Sequence, residues 1–283
     1  MIKLSAFSDE AASSICGQIE AMKRNNIRLT ELRSVDGKNV LDFTIAEAKV
    51  YQKQLADNGI AVWSVGSPLG KVDISVDLDE YMEKVKYCCE LANVLKTDKI
   101  RMFSFFNAYH EKNKVFDGLS RMAEIAKVYD VCMYHENEKD VYGDILERVL
   151  EIQREVPALK SVYDPANFLQ VGEKADDTLP ALIRKTDYFH IKDVIAETGE
   201  LVPAGYGDGK INRLIEGIID DKVLTLEPHL AVFAGYATID NTEIKNKFYF
   251  TSNDEAFDVS VNALKKLLVA HGYKENGGSF TKE

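Results

Sequence analysis

The sequence contains few cysteines, few prolines and no long apolar run. Only 4 of its 283 residues are cysteines and 6 are prolines. The cysteines form no C-x-x-C pair, so the sequence predicts reduced thiols in a cytoplasmic protein rather than a disulfide framework or a zinc knuckle. No stretch approaches the roughly 18 apolar residues that a membrane span requires, and the amino terminus lacks the basic start of a secretory signal. We therefore expect a cytoplasmic protein with no membrane partner.

Basic residues are outnumbered as well. The chain has 35 Lys and Arg against 46 Asp and Glu, which gives a formal net charge of −11. Such a field repels phosphate backbones, so nucleic acid is not an expected partner. No G-x-G-x-x-G motif follows the first apolar run, which weakens a dinucleotide-binding interpretation.

Short β-prone runs recur along the whole chain, 25 to 39 residues apart. They begin near Ile2, Ile27, Ala61, Ile100, Val131, Leu159, Tyr188 and Val223. Stretches with helical periodicity lie between them, and a last one follows the cap-like Ser252. Eight alternations without a linker predict an α/β fold, a single (β/α)8 TIM barrel over residues 1–283, with 275–283 as a flexible tail. An open doubly wound sheet is the alternative.

Ionisable residues close four consecutive apolar runs. Runs five to eight end in Glu136, Asp164, His190 and Glu227. The carboxyl ends of barrel strands form the working face, and neighbouring strands lie about 4.8 Å apart. Three carboxylates repel one another unless a cation joins them, and His190 supplies a nitrogen ligand. Each residue alone is typical of a helix cap or a loop, as for Asp164 before Pro165, but their coincidence predicts one divalent metal site.

Further polar residues near these strand ends are predicted to contact the substrate. They are Lys71, Glu138, Asn167, Lys192 and His229. Lys192 lies two residues beyond His190 and so points to the same side of an extended chain, although an ion pair with Asp193 is the alternative. Lys71 follows a turn at 66–70 whose backbone amides can hold an anion, or which is a plain turn. Arg101 is expected to pair with an acid.

Three segments near the ends of earlier strands accompany the four strand ends: Phe7-Ser8-Asp9-Glu10, Glu31-Leu32-Arg33-Ser34-Val35-Asp36-Gly37 and Gly66-Ser67-Pro68-Leu69-Gly70-Lys71. Together these motifs resemble those of the sugar phosphate isomerase/epimerase family of xylose isomerase-like TIM barrels, which includes ketose 3-epimerases and inosose dehydratases. The resemblance implies that Glu136, Asp164, His190 and Glu227 bind the metal, that the two glutamates flank the reacting carbon, and that the protein is a dimer or tetramer. Ketose 3-epimerases carry an arginine shortly after the histidine, whereas residues 192–197 contain none, which argues against a free ketohexose.

This donor set suits a metal-assisted proton transfer. Oxygen ligands favour Mn²⁺, Mg²⁺ or Co²⁺, and Zn²⁺ is also admissible. A cation beside a carbonyl makes the adjacent C–H acidic, so Glu136 and Glu227 can remove and return its proton. We therefore expect an isomerase or epimerase whose substrate is a sugar, a sugar phosphate or a keto-sugar.

Three other functions remain open at this point. A lyase of the same architecture would expel a β-hydroxyl after the same proton abstraction. A phosphodiesterase of the DNA-repair type needs a histidine-rich multi-zinc cluster, which five histidines and an acidic chain disfavour. A non-catalytic sugar-binding barrel needs no metal, since fold alone does not guarantee activity.

Overall fold

A computed structural model of the chain describes residues 1–231, 248 and 250–282. Within these residues eight parallel strands form a closed barrel. Their bounds are β1 Ile2–Ala6, β2 Leu29–Leu32, β3 Ala61–Gly66, β4 Lys99–Met102, β5 Cys132–Glu136, β6 Lys160–Tyr163, β7 Tyr188–Ile191 and β8 Lys222–Leu226. Each strand pairs with the next along the chain, and β8 closes onto β1, where Leu226 lies opposite Ala6. The prediction of a (β/α)8 barrel is confirmed, and closure excludes the open sheet.

Helices connect the strands and cover the outside of the barrel. Their bounds are α1 Ile15–Arg24, α2 Ile45–Asp57, α3 Leu78–Val94, α4 Lys112–Val128, α5 Leu146–Glu155, α6 Pro165–Gln170, α7 Ala175–Leu182, α8 Ile211–Gly217 and α9 Asn253–Ala270. Local sequence signals begin several of them, because side chains there satisfy the first unpaired N–H groups. Thr44 and Glu47 form a capping box on α2, and Ser252 accepts a hydrogen bond at the start of α9 as its sequence predicts. No helix in the described part of the chain is both long enough and apolar enough to span a membrane.

Short elements lie in the loops. Single 3₁₀ turns span Ser8–Glu10, Val40–Asp42 and Tyr142–Asp144. Two short antiparallel hairpins pair Ser34–Val35 with Lys38–Asn39, and Asp193–Ile195 with Glu200–Val202.

An apolar layer fills the inside of the barrel beneath the polar strand ends. Its buried members are Tyr134, Val162, Tyr188 and Val223. Side chains on a strand alternate between faces, so Tyr134 and Glu136 point to the same side of β5, as do Tyr188 and His190 on β7. The polar residues above this layer are thereby closed off from the opposite mouth of the barrel.

The carboxyl-terminal segment forms strands as far as residue 282, contrary to the prediction of a flexible tail at 275–283, of which residue 283 lies outside the described residues. Tyr273–Asn276 and Ser279–Lys282 form a hairpin, and the second of these strands pairs antiparallel with β1. Phe280 lies opposite Ile2 and is fully buried. Burial of the apolar surface of Phe280 offsets the entropic cost of ordering a terminus. The prediction was wrong because the segment is otherwise polar in composition.

Candidate metal centre

The four predicted ligands converge at one point of the barrel mouth. Glu136, Asp164, His190 and Glu227 each offer an oxygen or nitrogen atom, and these atoms all lie within 4.8 Å of one another. All four side chains are buried.

The barrel register brings them together. Glu136 ends β5 and Asp164 directly follows β6, while Glu227 follows β8 and donates its backbone N–H to the carbonyl of Ile191. His190 lies within β7 opposite Thr225. Adjacent parallel strands thus deliver the side chains at one height above the apolar layer, as the strand-end pattern predicts.

Asp164 is both a helix cap and a member of the cluster. Its Oδ1 accepts a hydrogen bond from the backbone N–H of Asn167 at 3.0 Å, and Pro165 occupies the first position of α6. Its Oδ2 is buried and accepts no hydrogen bond from the described residues, although Nζ of Lys192 lies 3.1 Å away. The two interpretations of this residue are therefore compatible, because each uses a different oxygen.

His190 is oriented by carboxylates on both sides of its ring. Its Nδ1 lies 2.8 Å from Oε1 of Glu136 and 3.1 Å from Oε2 of Glu227. Its Nε2 lies 3.1 Å from Oε2 of Glu31, and the hydroxyl of Tyr188 donates to the other oxygen of Glu31. A proton on Nε2 that is donated to Glu31 leaves the lone pair of Nδ1 facing the cluster, as in carboxylate–histidine–metal arrangements.

An arginine stands behind each of the two glutamates. Nε of Arg101 lies 3.2 Å from Oε2 of Glu136. Nη1 of Arg33 donates to Oε1 of Glu227 at 3.0 Å, and the same guanidinium makes a two-pronged contact with Asp9. The expectation that Arg101 pairs with an acid is confirmed. In each glutamate, the carboxylate oxygen that the arginine does not contact is the one that faces His190.

The electrostatics of the cluster favour a cation. Burial raises the pKa of Asp164 to about 7, with Glu136 and Glu227 raising it further and Lys192 opposing them. Burial opposes protonation of His190, yet the neighbouring Glu136 and Glu31 hold the pKa of His190 well above its ordinary value. An environment that stabilises an imidazolium also stabilises a metal cation. The buried oxygens of Asp164 and Glu227 that accept no hydrogen bond from the described residues fit such an ion.

Lys192 and Asn167 lie directly against the cluster. Lys192 is buried, and Asp164 and Glu227 raise its pKa well above the ordinary value although burial opposes this. Its ion pair is with Asp164 and not with Asp193. Asn167 donates from Nδ2 to Oε1 of Glu136 at 3.4 Å and to a backbone carbonyl at 2.9 Å. Both residues therefore lie beside the proposed ligands, and their contact with a substrate stays a prediction.

Three other predicted residues lie farther out on the rim. Nζ of Lys71 donates to Oε2 of Glu138 at 2.8 Å, and Lys71 and Lys192 hold the pKa of Glu138 below its usual value against the opposing effect of burial. Nε2 of His229 lies 3.4 Å from both Glu227 and Glu10, and burial lowers the pKa of His229 to about 4. His229 is therefore neutral near pH 7.

The turn before Lys71 does not hold an anion through its amides. The N–H of Gly70 donates to the hydroxyl of Tyr81, and the N–H of Leu69 donates to Ser67. The N–H of Lys71 is likewise used by a backbone carbonyl. The simpler interpretation, a plain strand-to-helix turn, is the correct one, because these amides already have hydrogen-bond partners in the turn or in α3.

Sequence reasoning assigned no site role to Glu31 or Arg33 from the residues themselves. Both lie near the carboxyl end of the second strand. Treating ionisable residues at strand ends as candidate site residues, as was done for strands five to eight, would therefore have included them. Their partners in the four-residue cluster lie more than 150 positions away, since Glu31 contacts His190 and Arg33 contacts Glu227. No local spacing reports such pairs.

A family model and several solved structures match this chain. A family model described as xylose isomerase-like TIM barrel matches residues 19–247. No curated protein sequence matches the chain. Among solved structures, the probable 3-DHS dehydratase AsbF of Bacillus anthracis is 20% identical with a TM-score of 0.70, over 94% of this chain and 98% of that chain.

Two further solved structures have similar folds. The IOLI protein with a bound zinc atom is 16% identical with a TM-score of 0.69, over 94% of this chain and 99% of that one. L-ribulose 3-epimerase is also 16% identical with a TM-score of 0.69, over 96% and 97%. Identities this low show the fold alone. The family model, however, covers most of the chain and agrees with the motif resemblance, so the protein belongs to the xylose isomerase-like TIM barrel family.

Proposed function

We propose that the protein is a divalent-metal-dependent isomerase or epimerase of carbohydrates, which removes and returns a proton at a carbon next to a carbonyl. The observation that carries the proposal is the convergence of Glu136, Asp164, His190 and Glu227 within 4.8 Å. The two glutamates approach Nδ1 of His190 at 2.8 and 3.1 Å, and they come from strands β5 and β8 on either side of it. Two carboxylates around one point are what a two-sided proton transfer needs.

The four side chains would hold the metal ion. Their three carboxylates and one imidazole suit Mn²⁺, Mg²⁺ or Co²⁺, and Zn²⁺ is compatible as well. A related fold, that of the IOLI protein, carries zinc. When bound, such an ion polarises a carbonyl and makes the neighbouring C–H more acidic.

The protein's own residues then handle the proton. Glu136 and Glu227 form the acid–base pair, one taking the proton from carbon and the other returning it. Arg101 and Arg33 contact the outer oxygens of these glutamates, which fixes each carboxylate with its other oxygen toward the site. Asn167 adds a hydrogen bond to Glu136. Fixed orientation of this kind lowers the cost of reaching a reactive geometry.

A lyase is the second candidate. Lys192 is buried with its ammonium 3.1 Å from Asp164, so a cation that can hydrogen-bond to a departing hydroxyl stands beside the proposed acid–base pair. One protein of similar fold is described as a probable dehydratase. The two reactions share proton abstraction and differ in the product.

The test combines elemental analysis of the purified protein with a screen for deuterium uptake from solvent into ketoses, keto-sugars and their phosphates. We expect about one divalent ion per chain and label at a carbon next to a carbonyl. Glu136→Gln and Glu227→Gln should abolish uptake and keep the native circular dichroism spectrum, whereas the exposed Glu124→Gln control should exchange like the wild type.

Each outcome decides between the candidates. Label without a dehydrated product supports the isomerase or epimerase. An enone product absorbing in the ultraviolet moves the assignment to the lyase. Metal-free protein that binds sugars without exchange contradicts both and indicates a binding module.

A further inference from the structure

A small recess with basic walls opens next to Glu136. Its walls include Arg33, Asn39, Lys71 and Arg101, and no aspartate or glutamate lines it in the described part of the chain. Its cavity volume is about 20 Å³, little more than one water molecule needs. Pockets that enclose a whole ligand typically measure about 300–1,000 Å³. This basic recess is therefore sized for an oxygen atom at the tip of one substituent, on a substrate whose reacting part lies at the metal centre.

Arg101 presents an unused donor to the recess. Its side chain is 4% exposed, and its Nη1 donates to the carbonyl of Ser67 at 2.9 Å. Its Nε lies 3.2 Å from Glu136 without hydrogen-bond geometry. No described residue accepts a hydrogen bond from its Nη2. A buried guanidinium with a free N–H is suited to an oxyanion, because charge-assisted hydrogen bonds are the strong ones.

Asn39 and Lys71 add donors to the same recess. Oδ1 of Asn39 accepts from the N–H of Leu41, and among the described residues nothing accepts from its Nδ2. Lys71 lies with its ammonium 4.4 Å from the ring centre of Phe103, and this ammonium contacts Glu138. An amide, an ammonium and a guanidinium thus line a space that no carboxylate of the described residues lines, which favours a ligand group that only accepts.

Gly66 keeps the recess open. A Cβ atom there would lie 2.7 Å from the ring of Phe7, 3.3 Å from Cβ of Arg33 and 3.4 Å from Nη2 of Arg101. Any side chain at this position would therefore enter the space beside the free donor. Gly66 is the last residue of β3 at the barrel mouth, and the recess beside Arg101 stays open because this residue has no side chain.

We propose that the basic recess binds an oxyanionic substituent, a carboxylate or a phosphate, of the substrate that reacts at the metal centre. The inference rests on the proposed function for the position of the reacting carbon. It narrows the substrate class to acidic sugar or polyol ketones, because Arg101 contacts Glu136 on one side and the recess on the other. The hydroxyl groups of neutral ketoses offer Arg101 and Asn39 only uncharged acceptors, whereas an oxyanion accepts charge-assisted hydrogen bonds, which are about twice as strong.

The test is isothermal titration calorimetry on the full chain as purified, with ligands in matched pairs. D-fructose is compared with D-fructose 6-phosphate, and D-glucose with D-glucuronate. We expect one anionic member to bind at least tenfold more tightly than its neutral partner, and the preferred pair identifies phosphate or carboxylate.

Three variants locate the preference. Lys71→Met and Asn39→Ala should each reduce the anion preference severalfold, and Arg101→Met should remove it. The exposed Lys84→Met in α3 is the matched control for the lost lysine charge and should keep the wild-type preference. If the Arg101 variant does not fold by circular dichroism, the Lys71 and Asn39 variants decide the question.

Equal affinities within both pairs would overturn the inference, and so would equal effects of Lys71→Met and Lys84→Met. Failure of the proposed function looks different. Anion preference without any deuterium exchange would contradict the proposed catalytic function but support anion binding in the recess. Exchange into neutral ketoses at the same rate as into their anionic partners would support the catalytic function but contradict anion binding in the recess.

Discussion

Nε2 of His190 lies 3.1 Å from Oε2 of Glu31, on the side of the imidazole ring that faces away from Glu136. The two residues are separated by 159 positions and are both fully buried. This contact holds the ring so that Nδ1 faces the cluster, which makes Glu31 the residue that sets the orientation of the proposed nitrogen ligand.

Replacing Glu31 tests this relationship. Glu31→Gln keeps the shape of the side chain and removes the charge that anchors the imidazole, so metal affinity should fall by about 10- to 100-fold. Competition against a chelator of known affinity measures the change. Glu124→Gln, an exposed change on α4, should bind metal like the wild type. An unchanged affinity in Glu31→Gln would show that the contact does not position the ligand.

Removal of the metal should lower thermal stability. A ligand that binds only the folded chain stabilises it by about 2.7 kcal/mol when its concentration is one hundred times its Kd. We expect the Tm to fall after treatment with a chelator and to recover when Mn²⁺ is added, as followed by scanning calorimetry. His190→Ala should lose this dependence, whereas His110→Ala, at an exposed position, should keep it. A metal response of equal size in both variants would place the ion elsewhere.

Two glycines with similar backbone angles should respond differently to alanine. Gly70 and Gly172 have φ of +84° and +85°, a left-handed conformation that costs a residue with a Cβ about 1–2 kcal/mol. A Cβ at Gly70 would lie 2.1 Å from the carbonyl oxygen of Phe103, whereas at Gly172 nothing lies within 4 Å. Gly70→Ala should therefore destabilise the protein by roughly 1–3 kcal/mol more than Gly172→Ala. Urea unfolding of both variants measures the difference, and equal losses would contradict the close approach.

The capping box of α2 should make part of the stability depend on acid. The side-chain contact with Lys38, together with the hydrogen bonds from Thr44, lowers the pKa of Glu47 from 4.5 to about 2. A depressed pKa in the folded state adds stability above pH 4.5, and this contribution is lost as the pH falls towards 2. Glu47→Gln should thus be less stable than the wild type in urea at pH 7, with a smaller difference at pH 3. A difference that does not shrink would show that the charge of Glu47 is not responsible.

The four-residue cluster was predictable because its signal is local. Each member stands at the end of an apolar run, and the chain repeats the strand–helix unit, so the four residues fall in four consecutive units, with Glu136 in the fifth and Glu227 in the eighth. The helix ends are similarly local, since Ser252 needs only the N–H three residues ahead. Such features depend on neighbours within a few residues, which a sequence displays directly.

The surroundings of the cluster were not predictable in the same way. Phe280 looks like part of a polar tail, but it is buried because its strand adds to β1 at the other end of the chain. The turn before Lys71 appears open to an anion until Tyr81, from the next helix, occupies its amide. These contacts join segments whose separation along the chain carries no periodic signal.

The sequence by itself determined the alternation that closes into a barrel and the identity of the four side chains at consecutive strand ends, because both follow from patterns a few residues long. Only the tertiary structure decided that an arginine backs each glutamate, that Glu31 orients His190, and that Gly66 leaves room beside Arg101. Barrel closure brings strands two, three and four against strands five to eight, and side chains far apart in the chain acquire their partners only then.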